Sequence, residues 1–180
     1  SGSLKFAGRN GYIPVSANFI APWSVATHWP AYCAGAKESN VTPESKKWRV
    51  ARSIFVADSD AEAEEFIRIK SGAFDYYYEY LFSIFDKADF KGPFVINKND
   101  DPSKLTHEML RDACVISGSP ETVSDELINL MDEIGDFGTI LYAAHDWTDK
   151  SMMVKSMELF ANEVMPRVNR KLNTRQASAG

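Results

Sequence analysis

The chain has 180 residues, 44% of them hydrophobic and 25% charged, the composition expected of one soluble globular domain. A net charge of −5 offers no basic face, which excludes nucleic acid and an anionic membrane surface as partners. Cys33 and Cys114 stand apart without CxxC or Cys/His spacing, so no zinc site is expected and a reducing, cytoplasmic compartment is.

No apolar run approaches the ~20 residues of a membrane span. No basic-then-apolar leader opens the sequence, which begins Ser1-Gly2-Ser3 rather than with methionine. In chain order, Leu4 to Asn10 reads as a short helix ended by Gly11, and Tyr12–Phe19 as a strand. Pro14 weakens that strand, because proline cannot donate into a ladder. A helix is expected from Ser24 to Ala36, then a polar turn, then the β-rich run Trp48–Val56. Ser59-Asp60-Ala61-Glu62 is a capping-box pattern that opens a long helix, whose later part, Phe74 to Phe85, is crowded with aromatics.

Gly92-Pro93 and Asn97 to Pro102 break the chain, and a short helix follows Thr106. Ser119-Pro120-Glu121 sets an N-cap, an N1 proline and an acidic N2, and the helix they start stops at Gly135. Phe137–Ala143 is the third strand, and Asp149 opens a last helix ending at Pro166. Residues 170–180 read as a flexible tail after a folded unit of residues 1–169. Strands alternating with helices define an α/β fold with a parallel sheet.

Several segments resemble the luciferase-like flavin-dependent monooxygenases, most of all their limonene and alkane monooxygenase branch. They are Ser3-Leu4-Lys5-Phe6-Ala7-Gly8, Gly11-Tyr12-Ile13-Pro14-Val15-Ser16, His28-Trp29-Pro30 and Arg52-Ser53-Ile54-Phe55-Val56-Ala57-Asp58. Gly118-Ser119-Pro120-Glu121-Thr122-Val123, Gly135-Asp136-Phe137-Gly138-Thr139 and Glu163-Val164-Met165-Pro166 complete the set in order. The resemblance implies the C-terminal half of a (β/α)8 TIM barrel, with the three strands as strands six to eight, parallel, adjacent and wrapped by helices on one face. It also implies reduced FMN or FAD as cofactor, a separate flavin reductase, O2 and a small apolar organic substrate. An open inner face and two sheet edges lead to an expectation of a homo-oligomer.

The cofactor candidates are Ser1, Gly2 and Ser3, where a helix N-terminus and hydroxyls can meet a phosphate, or else form a plain N-cap or a vector-derived leader. Ser16 and Asn18, at the end of the first strand, either flank the flavin ring or are turn residues. His28, His145 and Trp147 are candidates for the substrate pocket. Against this, His28 can be a half-buried helix residue, and the loop around His145 can serve to let Asp146 or Asp149 cap the last helix. His107 reads as a capping or solvent residue, and Arg52 as a barrel-facing or carboxylate-paired side chain. No side chain is singled out as catalytic and no metal is implied. Two other functions fit the same residues: a deazaflavin-dependent oxidoreductase on the same barrel, and a non-catalytic α/β module that binds a protein through its aromatic helix.

Overall fold

Eight residues, Arg49–Val56, form the strand to which the rest of the sheet is bonded. In the computed structural model, which describes residues 2–145 and 148–178, this strand (β2) pairs with β1 (Val15–Ser16), β3 (Val115–Gly118) and β4 (Thr139–Ala143), in each case parallel. β1 and β4 both pair with Arg49 and Val50, so they lie on opposite edges of β2. β3 pairs with the far half, Ser53 to Val56. Ser53 is therefore the residue at which the β4 ladder ends, opposite Ala143, and the β3 ladder begins, opposite Val115.

The helices are α1 (Gly2–Arg9), α2 (Pro22–Val25), α3 (His28–Glu38), α4 (Asp60–Ile67), α5 (Ala73–Lys87), α6 (His107–Cys114), α7 (Pro120–Ile134), α8 (Lys150–Leu159) and α9 (Met165–Ser178). Successive side chains of a strand point to opposite faces, and here each face has its own core. Val50, Ile54 and Val56 pack with Val123, Leu127 and Ile134 of α7 and with Val164 and Val168. Phe55 and Ala57 pack instead with Ala63, Phe74, Tyr78, Leu110 and Met153. Helices thus cover both faces of the sheet, whereas one covered face and one open face were expected. The aromatic part of α5 explains the difference, because Phe74 and Tyr78 are buried against the second face.

Several boundaries also differ from expectation. The first strand contracts to Val15–Ser16, since Pro14 has no N–H to give and joins the ladder only by accepting from the Arg49 N–H at 3.1 Å. The helix expected from Ser24 to Ala36 is two helices, α2 and α3. The long helix from Asp60 is broken between α4 and α5, where Ser71 adopts the left-handed conformation (φ 59°) and its N–H is held by Asp75 at 3.0 Å. β3, a fourth strand, was not expected. The last helix does not stop at Pro166: a π-turn over Phe160–Val164, with the Met165 N–H bonded to the Phe160 carbonyl, carries the chain into α9. The tail expected from residue 170 is helical as far as Ser178.

Other local features follow the sequence directly. Ser59 accepts from the Glu62 N–H at 3.2 Å, while Glu62 reaches back to the Asp58 N–H at 3.1 Å. Ser119 caps α7, and Gly135 ends it with φ 94°. α1 and α3 touch backbone to backbone. A Cβ on Gly35 would lie 1.9 Å from the Lys5 carbonyl oxygen, and one on Gly8 would lie 2.0 Å from that of Tyr32.

Neither carbonyl can move without shifting its helix. Gly35→Ala is therefore expected to lower the unfolding free energy by about 1–3 kcal/mol or more. Gly92→Ala, where a Cβ meets nothing within 4 Å, should stay within about 0.5 kcal/mol of wild type. Urea unfolding of the two variants checks this, and equal effects would contradict the backbone contact.

Candidate functional site

Parallel strands deliver their C-terminal ends to one side of a sheet, and in α/β proteins that side carries the ligand site. On this side the chain gathers Asn18 after β1, Ser53 of β2, Tyr77 and Tyr78 of α5 and His145 after β4. Ser53, fully buried, is the common partner of Asn18, Tyr78 and His145. The Asn18 side-chain amide donates to its hydroxyl at 2.9 Å, the Tyr78 hydroxyl lies at 3.0 Å and His145 Nε2 at 2.8 Å. Tyr77 donates to the Asn18 side-chain oxygen at 3.2 Å.

The His145 ring is packed among aromatics, with centroids 4.3 Å from Tyr77 and 4.7 Å from Phe74. It also forms the floor of a hollow of about 300 Å³ lined by Ala73, Tyr76, Tyr77, Tyr80 and Ala144. Tyr76 and Tyr80 stack on each other at its rim, 56% and 54% exposed. Burial pushes the phenols of Tyr77 and Tyr78 upward, Tyr78 well above its ordinary value. Both hydroxyls therefore keep their protons and serve this cluster as neutral groups.

Ser16 and His28 form a second pair, set deeper. Ser16 Oγ accepts from the Trp48 indole N–H at 2.9 Å and lies 2.8 Å from His28 Nδ1. Trp48 is fully buried in the core on the α7 side of the sheet and stacks with Trp29 at 5.8 Å. The Ser16 hydroxyl is thus engaged within the protein, and His28 is buried. Burial lowers the His28 pKa, and the charge of Arg52 adds to this.

Of the remaining candidates, Gly2 and Ser3 begin α1, and a Cβ on Gly2 would meet nothing within 4 Å. Ser1, Asp146 and Trp147 lie outside the described residues. Asp149, not a site residue, caps α8 by accepting from the Met152 N–H at 3.1 Å. His107 sits between carboxylates, 3.4 Å from Asp75 and 3.3 Å from Glu108.

Arg52 departs from both readings made of it. Its side chain shares the α7 face with Val50 and Ile54 and lines a second hollow with Glu126, Asn129 and Glu133. It pairs with no carboxylate among the described residues. Nη1 donates to the Ala51 carbonyl at 3.2 Å, and Nη2 has no hydrogen-bond partner among the described residues. In the same hollow, burial raises the Glu126 carboxyl to about 7, with the charge of Asp60 adding to the shift.

Ser53 carries no local motif that marks it as a site residue, and Tyr77 and Tyr78 stand out in the sequence only as part of the aromatic run Phe74–Phe85. The signal available was a small hydroxyl inside an otherwise apolar strand, which needs partners when buried.

No protein-family model matches the chain. It is 35% identical over 172 residues to 2,5-diketocamphane 1,2-monooxygenase 1 of Pseudomonas putida, covering 93% of this chain and 47% of that protein. It is 26% identical over 175 residues to limonene 1,2-monooxygenase of Rhodococcus erythropolis, covering 95% of this chain and 42% of the relative. Among solved structures it matches the oxygenating constituent of 3,6-diketocamphane monooxygenase from the CAM plasmid of Pseudomonas putida, a type II Baeyer-Villiger monooxygenase in complex with FMN. That match has a TM-score of 0.79 and 30% identity, over 93% of this chain and 46% of the other. The homologues are luciferase-like monooxygenases, as the sequence resemblance implied. The chain spans about half the length of the curated relatives it matches.

The buried His28 gives a pH test. Its folded pKa lies below the ordinary 6.5, so as the pH falls below that value the unfolded chain takes up a proton that the folded chain refuses. The stability present above pH 6.5 is then lost as the pH falls through the folded pKa, by at most about 1.4 kcal/mol per pH unit. Urea unfolding between pH 7.5 and 5.5 should show a steeper loss for wild type than for His28→Gln. Equal slopes would show that His28 does not titrate differently on folding.

Proposed function

We propose that this chain is the C-terminal half of an FMN-dependent monooxygenase barrel, with β1, β2 and β4 as its sixth to eighth strands. In this reading the whole protein uses O2 to oxygenate a small apolar organic substrate, and a separate reductase delivers reduced flavin. The observation that carries it is the cluster of Asn18, Ser53 and His145 at the C-terminal side of parallel strands, in a fold matching an enzyme in complex with FMN. A cytoplasmic location, as expected from the two isolated cysteines, is part of this proposal; no helix among the described residues is long and apolar enough to cross a membrane. Exposed Phe6, Tyr12, Ile13 and Val15 near β1 supply an apolar surface for the proposed homo-oligomer.

The residues present fit FMN as one wall of its site. The free N–H groups at the start of α1, with open space around Gly2, suit a phosphate, and Ser3 adds a hydroxyl. The hollow over Tyr77 and His145 offers an aromatic floor, but its ~300 Å³ is at the lower end for ligand sites. Bound flavin would supply the electrons that activate O2. Asn18 would present amide groups to the ring edge, and His145 a ring nitrogen at the oxygenation site. The aromatic side chains of α5 would exclude water from it. Ser16 and His28, bonded to Trp48, would hold the end of β1 in place beneath Asn18.

One wall gives little net binding, because water competes for every donor it offers. This chain alone should bind FMN and FAD weaker than micromolar and show no turnover, while the complete protein should do both with O2 consumption. In the complete protein, Asn18→Ala should weaken FMN binding about two- to twelvefold, the worth of one hydrogen bond of about 0.5–1.5 kcal/mol. Fluorescence titration and product analysis with a reductase present test these outcomes. Micromolar binding by this chain would overturn the half-site reading, and hydride transfer without O2 uptake would favour the deazaflavin alternative.

A further inference from the structure

The hydrogen-bond capacities around Ser53 determine more than the contacts themselves. A serine hydroxyl has one proton and two acceptor lone pairs, and Ser53 has three polar neighbours: the Asn18 amide, the Tyr78 hydroxyl and His145 Nε2. Each neighbour must therefore take one of the three places.

The Asn18 amide donates, since its oxygen is already taken by the Tyr77 hydroxyl at 3.2 Å. The Tyr78 hydroxyl is fully buried, and burial keeps its proton in place. Its hydrogen-bond contact is with Ser53, so leaving that proton undirected would cost the desolvation of a buried donor, about 1–3 kcal/mol. Tyr78 therefore donates as well. Both lone pairs of Ser53 are then occupied, and its own proton can go only to His145.

We infer that Ser53 is a positioning residue that fixes the tautomer of His145, with Nε2 bare and accepting from Ser53 and the ring proton on Nδ1. The consequence for chemistry rests on the flavin reading above: with Nε2 committed to Ser53 at 2.8 Å, that nitrogen is not available to the site as a base. Nε2 of His145 would then not remove a proton from substrate, and Ser53 would hold the ring in one orientation beside the site. The reverse arrangement is defined by the same counting. A proton on Nε2 would make Ser53 accept from both His145 and Tyr78, turn its hydroxyl proton to Asn18 and require the Asn18 amide to present its oxygen.

Long-range ¹⁵N–¹H spectra of the chain labelled at histidine decide between the two arrangements. Variants His28→Gln and His107→Gln separate the three ring systems. The expected spectrum shows His145 Nε2 as an unprotonated nitrogen and Nδ1 as a protonated one. In Ser53→Ala, and in Tyr78→Phe, which frees one lone pair of Ser53, both nitrogens should move toward the averaged shifts of mixed tautomers. Tyr78→Phe keeps the buried ring and secures the test if Ser53→Ala does not fold. A protonated Nε2 in the wild-type chain, or His145 shifts unchanged in the folded variants, would overturn the assignment. No flavin is used, so failure here leaves the FMN titration standing, and failure of that titration leaves this assignment standing.

Discussion

A buried strand can carry polar side chains only where neighbouring elements satisfy them, and β2 meets that condition at Ser53. The other three strands are bonded to β2, and Ser53 is the residue that pairs with both β3 and β4. Its hydroxyl joins the turn after β1, the aromatic helix α5 and the segment after β4 through Asn18, Tyr78 and His145. These segments are distant in sequence, so the network forms only when the sheet and both cores have formed. In a low-dielectric interior such a network is strong when complete and costly when broken. It therefore ties the geometry of the candidate site to the register of the sheet.

One residue earlier the same strand does the opposite. Arg52 is buried with a guanidinium nitrogen that has no partner among the described residues, and burial lowers its pKa. A buried unpaired charge destabilises a fold, and here apolar packing around Val50 and Ile54 on the same face offsets that cost. Nη2 has no open approach from the hollow that Arg52 lines. The contrast sets the two faces of β2 apart. The face towards α5 carries a satisfied polar cluster with the candidates Asn18 and His145, while the face towards α7 carries the core around Trp48 and Ile54 and the Arg52 side chain.

Much of this was legible in the residues, because local chemistry decided it. Trp48–Val56 is β-branched and aromatic enough to be read as a strand, and Ser119-Pro120 with Gly135 marks both ends of α7. Ser59 with Glu62 likewise announces the start of α4. The failures occurred where tertiary bonding overrode local pattern. Val115–Gly118 is too short to show a period and is a strand only because Ser53–Val56 offers it a free edge. Proline 166 reads as a helix stop, yet the π-turn before it lets the backbone continue. In the site, Asn18 and His145 were visible as polar residues at strand ends. Ser53 was not, because a lone serine in an apolar strand reveals its role only when its partners are known.

The central proposal is that Gly2–Ser3, Asn18 and His145 belong to one ligand wall. The most direct measurement is to titrate FMN to millimolar concentration into the ¹⁵N-labelled chain and record amide and side-chain shifts. The account predicts that the Ser3 and Leu4 amides, the Asn18 side-chain amide and the Ala144–His145 amides move together with one weak dissociation constant, while Asn129, Leu130 and Glu133 of the Arg52 hollow stay still. Shifts confined to that second hollow, or none at the three strand-end segments, would contradict it.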